Sequence, residues 1–154
     1  IVNTLIGVIS DTHGLLRPQA IEALKGCSQI LHAGDVGSPD ILQQLAELAT
    51  VTAVRGNVDH GSWAESLARD QVVQVDGHVI YMIHDLAELD IDPQAAGFRV
   101  VVTGHSHKPV ADERDGVLYL NPGSAGPRRF KLPISLALLQ IAGSKVSAQI
   151  RELM

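Results

Sequence analysis

The sequence predicts an α/β chain with mixed sheets, on three observations. In its first half, short β-branched runs alternate with stretches that read as helix. In its second half, such runs follow one another across turn signals. Polar residues collect immediately after the runs rather than inside them.

Taken in order, the expected strands are 4–10, 29–33, 51–55, 71–75, 78–83, 99–103, 116–120, 134–141 and 145–150, each short, apolar and rich in Val, Ile or Leu. Pro18 suits the first turn of a helix running to about Lys25, because proline at that position gives up only an N–H that the helix cannot use. Ser38-Pro39 reads as N-cap plus first turn ahead of DILQQLAELA, and a shorter helix is expected near Asp92-Pro93. Strand, helix, strand, helix, strand implies βαβ units and a parallel sheet. Later turns at Asp76-Gly77, Glu113 to Gly116 and Gly143-Ser144 imply hairpins, so the sheets should be mixed. No repeat, low-complexity segment or linker divides residues 1–154, which are expected to form one domain.

Composition narrows the function classes. With 154 residues and 45% hydrophobic content the chain can bury a core without staples, yet aromatics are only 3%, so Val, Ile, Leu and Ala must build it. The net charge of −5 argues against a nucleic-acid-binding patch. The lone Cys27 forms no intramolecular disulfide and fits a reducing compartment; a small buried residue is its expected role. No apolar run approaches the ~20 residues that span a bilayer. IVNTLIGVIS lacks a basic leader region and reads as a strand, which makes the cytoplasm the expected location. An exposed strand or apolar patch would support a homo-oligomer.

Chemistry is expected at the strand ends. The runs lead into Asp11-Thr12-His13-Gly14, Gly34-Asp35, Gly56-Asn57-Val58-Asp59, His84-Asp85 and Gly104-His105-Ser106-His107. In open α/β sheets, ligands bind at the carboxyl ends of strands. Asp11, His13, Asp35, Asn57, His84, His105 and His107 form a donor set of oxygens and imidazoles without thiolate, suited to Mn, Fe, Zn, Co or Ni. Seven donors are too many for one such ion and natural for two, if one carboxylate bridges. Two ions about 3.5–4 Å apart can share a hydroxide and clamp a phosphate. Strand alternation would put His105 and His107 on one side of an extended segment, each able to serve a different ion.

This series, Asp11-x-His13, Gly34-Asp35, Gly56-Asn57-x-Asp59, His84 and Gly104-His105-x-His107, resembles the calcineurin-like metallophosphoesterase superfamily, in order and spacing, across residues 4–124. The chain's small size and Asn121-Pro122-Gly123-Ser124 are similar to the small bacterial and archaeal phosphodiesterase group, which shares its fold with the retromer subunit of vesicle sorting. The resemblance implies a four-layer α-β-β-α sandwich. It implies two divalent ions, manganese foremost, with nickel, iron or zinc as alternatives. Asp11, His13 and His107 would hold the first ion and Asn57, His84 and His105 the second. Asp35 would bridge them, and Asp35, Asn57 and His84 would count as catalytic as well as metal-binding. The implied activity is hydrolysis of a small phosphodiester by a metal-bridging hydroxide, so a small phosphoester is the expected ligand. Two alternatives remain: a non-catalytic interaction scaffold of the same fold, and a phosphomonoesterase or protein phosphatase on the same site.

The chain departs from the superfamily at Val58, where many members carry a histidine; the small phosphodiesterase group likewise lacks it. The general acid is thereby unassigned. His60 either serves or is an exposed loop residue. Asp85 either orients an imidazole or caps the next turn. Arg55 and the pair Arg128-Arg129 either contact the phosphate, whose geometry an arginine fork matches, or form surface ion pairs. His32 is expected to pack or hydrogen-bond beneath the site, and Trp63 to line a pocket or anchor a loop.

Overall fold

The structure is a computed structural model that describes residues 3–154. The first two residues of the expected N-terminal strand segment lie outside the described residues. Two five-stranded sheets face each other. The first runs β10(Lys145–Glu152), β9(Ser135–Ala142), β1(Asn3–Ile9), β2(Gln29–His32), β3(Thr50–Ala53); the second runs β4(Asp70–Val75), β5(His78–Ile83), β6(Val100–Val102), β8(Val117–Asn121), β7(Val110–Arg114). Strands β1, β2 and β3 are parallel, as are β5, β6 and β8, while β9, β10, β4 and β7 join antiparallel. Both sheets are therefore mixed, as the switch from crossovers to hairpins requires.

Side-chain alternation builds the layers. Ile6 and Val8 of β1 and Leu31 of β2 point inward to meet Ile80, Met82, Val100, Val102 and Leu120 of the second sheet. The intervening Ile9 and Ile30 point outward, onto α1(Pro18–Leu24) and α2(Pro39–Ala46) through Ala20, Leu24, Ile41 and Leu45. On the far side, Tyr81, Ile83 and Val101 pack with Leu89 and Phe98, beside a 3-10 turn at Leu86–Glu88 and α4(Pro93–Ala96). The result is the four-layer α-β-β-α sandwich. Strands buried on both faces must be apolar at every position, which is why VVV at 100–102 carries no alternation. Cys27 is buried in the helix-side core, against which Trp63 also packs.

Local chemistry sets the element ends. Ser38 Oγ accepts from Asp40 N–H at the start of α2, and Asp92 Oδ1 accepts from Gln94 and Ala95 N–H at the start of α4. The two-residue turns Asp76-Gly77 and Asp115-Gly116 have positive φ at both positions, the geometry that matches the twist of a hairpin. Strand β7 was not expected: all five of its residues are exposed, so no apolar face announces it. Its Asp112, Glu113 and Arg114 also protect a sheet edge from pairing with another chain. A short helix, α3(Ser62–Glu65), is likewise new. No described helix is long and apolar enough to cross a membrane.

Helix α1 lies so close to β1 that a Cβ built at Gly7 would overlap Leu24 Cδ2. Gly7→Ala is expected to destabilise the fold by about 1–3 kcal/mol through overpacking. Leu24→Ala alone should cost about 2–5 kcal/mol through its cavity. The double variant should cost less than the two summed, because each change relieves the other. Urea midpoints decide it; strict additivity would show that the two residues do not compete for that space.

Candidate metal centre

The parallel strands of both sheets end at one rim, and the loops there are laced together by backbone hydrogen bonds. Asp11 N–H donates to Gly34 O (3.0 Å), His13 N–H to Asp35 O (2.9 Å), Gly14 N–H to Val36 O (2.8 Å) and Gly104 N–H to His84 O (2.9 Å). Asp11, His13, Asp35, His105 and His107 all take left-handed backbone conformations, with φ between 47° and 72°. Such conformations cost of order 1–3 kcal/mol each in non-glycine residues and persist only where the surroundings impose them.

This conformation corrects the expectation for His105 and His107. Strand β6 stops at Val102, and Ser106 N–H turns back to Gly104 O at 2.8 Å. The two imidazoles are thus placed by a tight turn, not by strand alternation. The turn sends them to different groups. Asp11, His13 and His107 bring donor atoms together in one cluster; Asp35, His84 and His105 do so in a second. The rings of His13 and His107 are 5.3 Å apart, as are those of His84 and His105.

Asp35 lies between the clusters. Its Oδ1 accepts from Val58 N–H (3.0 Å), while its Oδ2 stands 3.2 Å from His84 Nε2 and 3.7 Å from His13 Nε2. Asp11 divides its oxygens in the same way. Oδ2 accepts from Ser10 Oγ–H (2.9 Å) and His105 N–H (3.1 Å), and Oδ1 faces His107 Nε2 (3.5 Å) and His13 Nε2 (3.8 Å). His84 Nδ1 donates to Ala33 O at 2.7 Å, which leaves Nε2 as the lone-pair nitrogen of the neutral ring. A glycine at position 56 is required by close approach: a Cβ there would overlap the Asp35 backbone and carboxylate.

These residues fit divalent cations. Asp11 Oδ1, His13 Nε2, His84 Nε2 and His107 Nδ1 are buried without any hydrogen-bond partner. Buried polar atoms are otherwise nearly always paired. Ligands held at about 2.0–2.2 Å from a shared ion sit roughly 3–4 Å from one another, and the carboxylate–imidazole separations above lie between 3.2 and 3.8 Å.

Electrostatics point the same way. Burial pushes the Asp11 carboxyl up to about 7, against the opposing pull of His84 and Ser10. Burial also acts to raise Asp35, but the contacts with His84 and the Val58 N–H outweigh it and hold this carboxyl well below the usual range. For His84, burial favours the neutral ring, yet the carboxylates and the Ala33 carbonyl raise its pKa. Burial, helped by Arg129, lowers His107 to about 4, leaving it neutral and able to donate a lone pair at neutral pH.

Residues around the clusters supply rigidity. Fully buried His32, lowered to about 4 by burial, accepts from Gly34 N–H at Nδ1. Its Nε2–H can therefore only donate to Thr12 Oγ, which donates in turn to Val36 O. This is the supporting role expected of it. Two braces had no role assigned from sequence. Asp59 accepts N–H groups from Val36, Gly37 and Gly56, tying two site loops together. Asn121 Nδ2 donates to Gly104 O and Ser106 Oγ, fixing the histidine turn. Both stand inside motifs visible in the sequence, Gly-Asn-x-Asp and Asn-Pro-Gly-Ser, but their partners are distant in the chain.

The remaining candidates divide. Asn57 and Arg55 are exposed and line a cavity of about 210 Å3 together with His84, Asp85, Arg69 and Glu88. Arg69, not anticipated, is steadied there by the Glu88 carboxylate at 3.5 Å. Asp85 caps the next turn, its Oδ1 accepting from Ala87 N–H; its Oδ2 stands 3.8 Å from His105 Nε2, beyond hydrogen-bond reach. His60 is exposed and does not line that cavity. Arg128 and Arg129 are both exposed, and neither lines that cavity; the Arg129 charge contributes to lowering the His107 pKa.

A carboxylate raised in the folded state adds stability below its unfolded pKa and loses it as pH rises through the folded value. With chelator present, Asp11→Asn is therefore expected to be more stable than the parent at pH 8. That advantage should shrink as pH falls from about 7 toward 4. Urea midpoints across that range check this; a constant difference would mean that Asp11 does not titrate there.

Comparison with known proteins agrees with the geometry. The family described as "Calcineurin-like phosphoesterase superfamily domain" matches residues 5–144. A probable metallophosphoesterase of Methanothermobacter thermautotrophicus is 37% identical, the match covering 95% of this chain and 91% of the relative. A phosphodiesterase of Methanocaldococcus jannaschii is 28% identical over 77% of this chain and 82% of its own. Among solved structures, Vacuolar Protein Sorting 29 from Cryptosporidium parvum superposes with a TM-score of 0.80 at 23% identity, covering 99% and 98% of the two chains. A family match over residues 5–144, together with a relative 37% identical over 95% of the chain, means that this chain belongs to the calcineurin-like phosphoesterase superfamily.

Proposed function

We propose that residues 1–154 act as one domain that hydrolyses a small phosphodiester with two divalent ions. Asp11, His13 and His107 hold one ion and Asn57, His84 and His105 the other, with Asp35 shared. The observation that carries this reading is the position of Asp35 Oδ2, within 3.7 Å of an imidazole from each cluster. When bound, such a pair of ions, manganese being the expected metal, supplies an activated water near neutral pH and a Lewis-acid clamp on the phosphoryl oxygens. The chain does the rest. Val58 N–H and Ala33 O orient Asp35 and His84, so the carboxylate oxygen and imidazole nitrogen face the same point. Arg55 borders the cavity beside His84, where a guanidinium would stabilise charge that builds on the phosphate. No imidazole stands at Val58, which favours esters whose leaving group needs little protonation. The Methanocaldococcus jannaschii phosphodiesterase supports a diester substrate.

A second reading, a non-catalytic interaction module, draws on the structural likeness to Vacuolar Protein Sorting 29. The unpartnered buried nitrogens and carboxylate oxygen weigh against it, since a chain released from metal binding has no physical reason to keep them.

Stripping the protein with chelator, restoring Mn or Ni and assaying an aryl phosphodiester beside an aryl phosphomonoester separates these readings. Diester turnover above monoester turnover is expected; no turnover of either, with two ions bound, favours the scaffold. Asp35→Ala should lose most of the bound metal and roughly 100-fold or more in rate, because it removes the shared ligand. His60→Ala should cost far less than His105→Ala, and equal losses would give His60 a catalytic role.

A further inference from the structure

Charge is segregated along this chain. Its 17 acidic residues leave one long gap: none stands between Asp115 and Glu152, a stretch that holds Arg128, Arg129, Lys131, Lys145 and Arg151. The net charge of −5 therefore conceals a basic segment. Its densest part is Arg128-Arg129-Phe130-Lys131, in the loop between β8 and β9, and all four residues are exposed. Ion pairs made by lysine and arginine among the described residues engage Lys25, Arg69, Arg99 and Arg114. The three cations of the loop thus face water without a carboxylate partner.

The root of the loop is fastened beside the metal centre. Ala125 N–H donates to Ser10 O (3.0 Å), and Arg17 holds Gly126 O through Nε (3.2 Å) and Nη2 (3.0 Å). A Cβ at Gly126 would overlap Thr12 O, between Asp11 and His13. The Arg129 charge is felt at His107. Beyond that root the chain turns over, with Leu132 N–H donating to Arg129 O (3.1 Å). Phe130 takes a φ of 54° in this turn, a conformation that bulky side chains rarely adopt. Its ring is 88% exposed, more than any other large apolar side chain described. A strained turn that holds an aromatic ring in water, among free cations, points to a ligand.

We infer that Arg128, Arg129, Phe130 and Lys131 form a binding surface for single-stranded nucleic acid, which leads an internucleotide phosphodiester to the metal centre. The second half of this inference rests on the phosphoesterase reading; the first rests on the turn itself. Single strands supply both partners that the turn lacks, phosphates for the cations and base faces for the ring. They are also chains of phosphodiesters, the bond that the neighbouring centre is read as hydrolysing. Insertion into a bilayer draws on several apolar side chains, and this tip carries one. An acidic peptide offers the centre no phosphoester.

Fluorescence anisotropy of a labelled thymidine hexamer on the Mn-loaded protein tests the surface, with phosphorothioate links to slow hydrolysis. Binding should weaken with salt at a log–log slope of about −2, as three neutralised phosphates on a single strand require. Arg128→Gln, Arg129→Gln and Lys131→Gln should each flatten that slope by about 0.7. Phe130→Ser should weaken binding on the order of tenfold and leave the slope unchanged, because stacking releases no counterions. A hexamer that does not bind, or that binds all four variants as it binds the parent, would overturn the surface. So would a preference for vesicles of anionic phospholipid over the hexamer. With ordinary phosphodiester links, the loaded protein should cleave the hexamer. An intact hexamer beside turnover of an aryl phosphodiester would overturn this inference alone. Turnover of neither, with two ions bound, removes the phosphoesterase reading as well.

Discussion

The rim of this protein depends on backbone held where backbone does not readily go. Asp11, His13, Asp35, His105 and His107 are all left-handed, and without that their side chains would not converge. The strain is imposed by neighbours on both sheets. Loops after β1 and β2 exchange backbone hydrogen bonds, the loop after β6 bonds to that after β5, and His84 reaches from the second sheet to Ala33 on the first. Each tie depends on the parallel strands delivering their carboxyl ends to one edge. Asp59, His32 and Asn121 then remove the remaining freedom.

Such an edge is costly to fold without cations. Buried carboxylates approach one another, a carboxyl is driven up to about 7, and four polar atoms lack partners. The apolar interior offsets this. Valine, isoleucine and leucine fill the space between the sheets and beneath α1 and α2. Stability is thus concentrated away from the rim, and divalent ions would relieve the cost where it arises, which links metal binding to folding.

Much of this was legible in the sequence because it follows from short-range pattern. Helix caps at Ser38 and Asp92, hairpins at Asp76-Gly77 and Asp115-Gly116, and the apolar runs of the central strands all obey local rules. So did the gathering of Asp and His after successive strands, which also carried the resemblance to the phosphoesterase superfamily. What escaped had no local signal. Strand β7 is exposed along its whole length and exists because β8 offers it an edge. Asp59 looks like an ordinary turn residue until three N–H groups from two loops are seen converging on it. The histidine pair was expected on a pleat and stands on a turn, because periodicity describes a strand and not the point where it stops.

By itself the sequence determined the mixed α/β order of elements, the apolar runs and which polar side chains follow the strands, since each depends on residue type and on spacing within a few positions; the four-layer arrangement came from the family resemblance those residues carry. Only the tertiary structure decided how those side chains are brought together: a left-handed turn, not a pleat, sends His107 toward Asp11 and His13 and His105 toward Asp35 and His84, the division the resemblance implied. The reason is that grouping is a property of distance across two sheets. Asp11 and His107 are separated by most of the chain, yet their facing atoms are 3.5 Å apart.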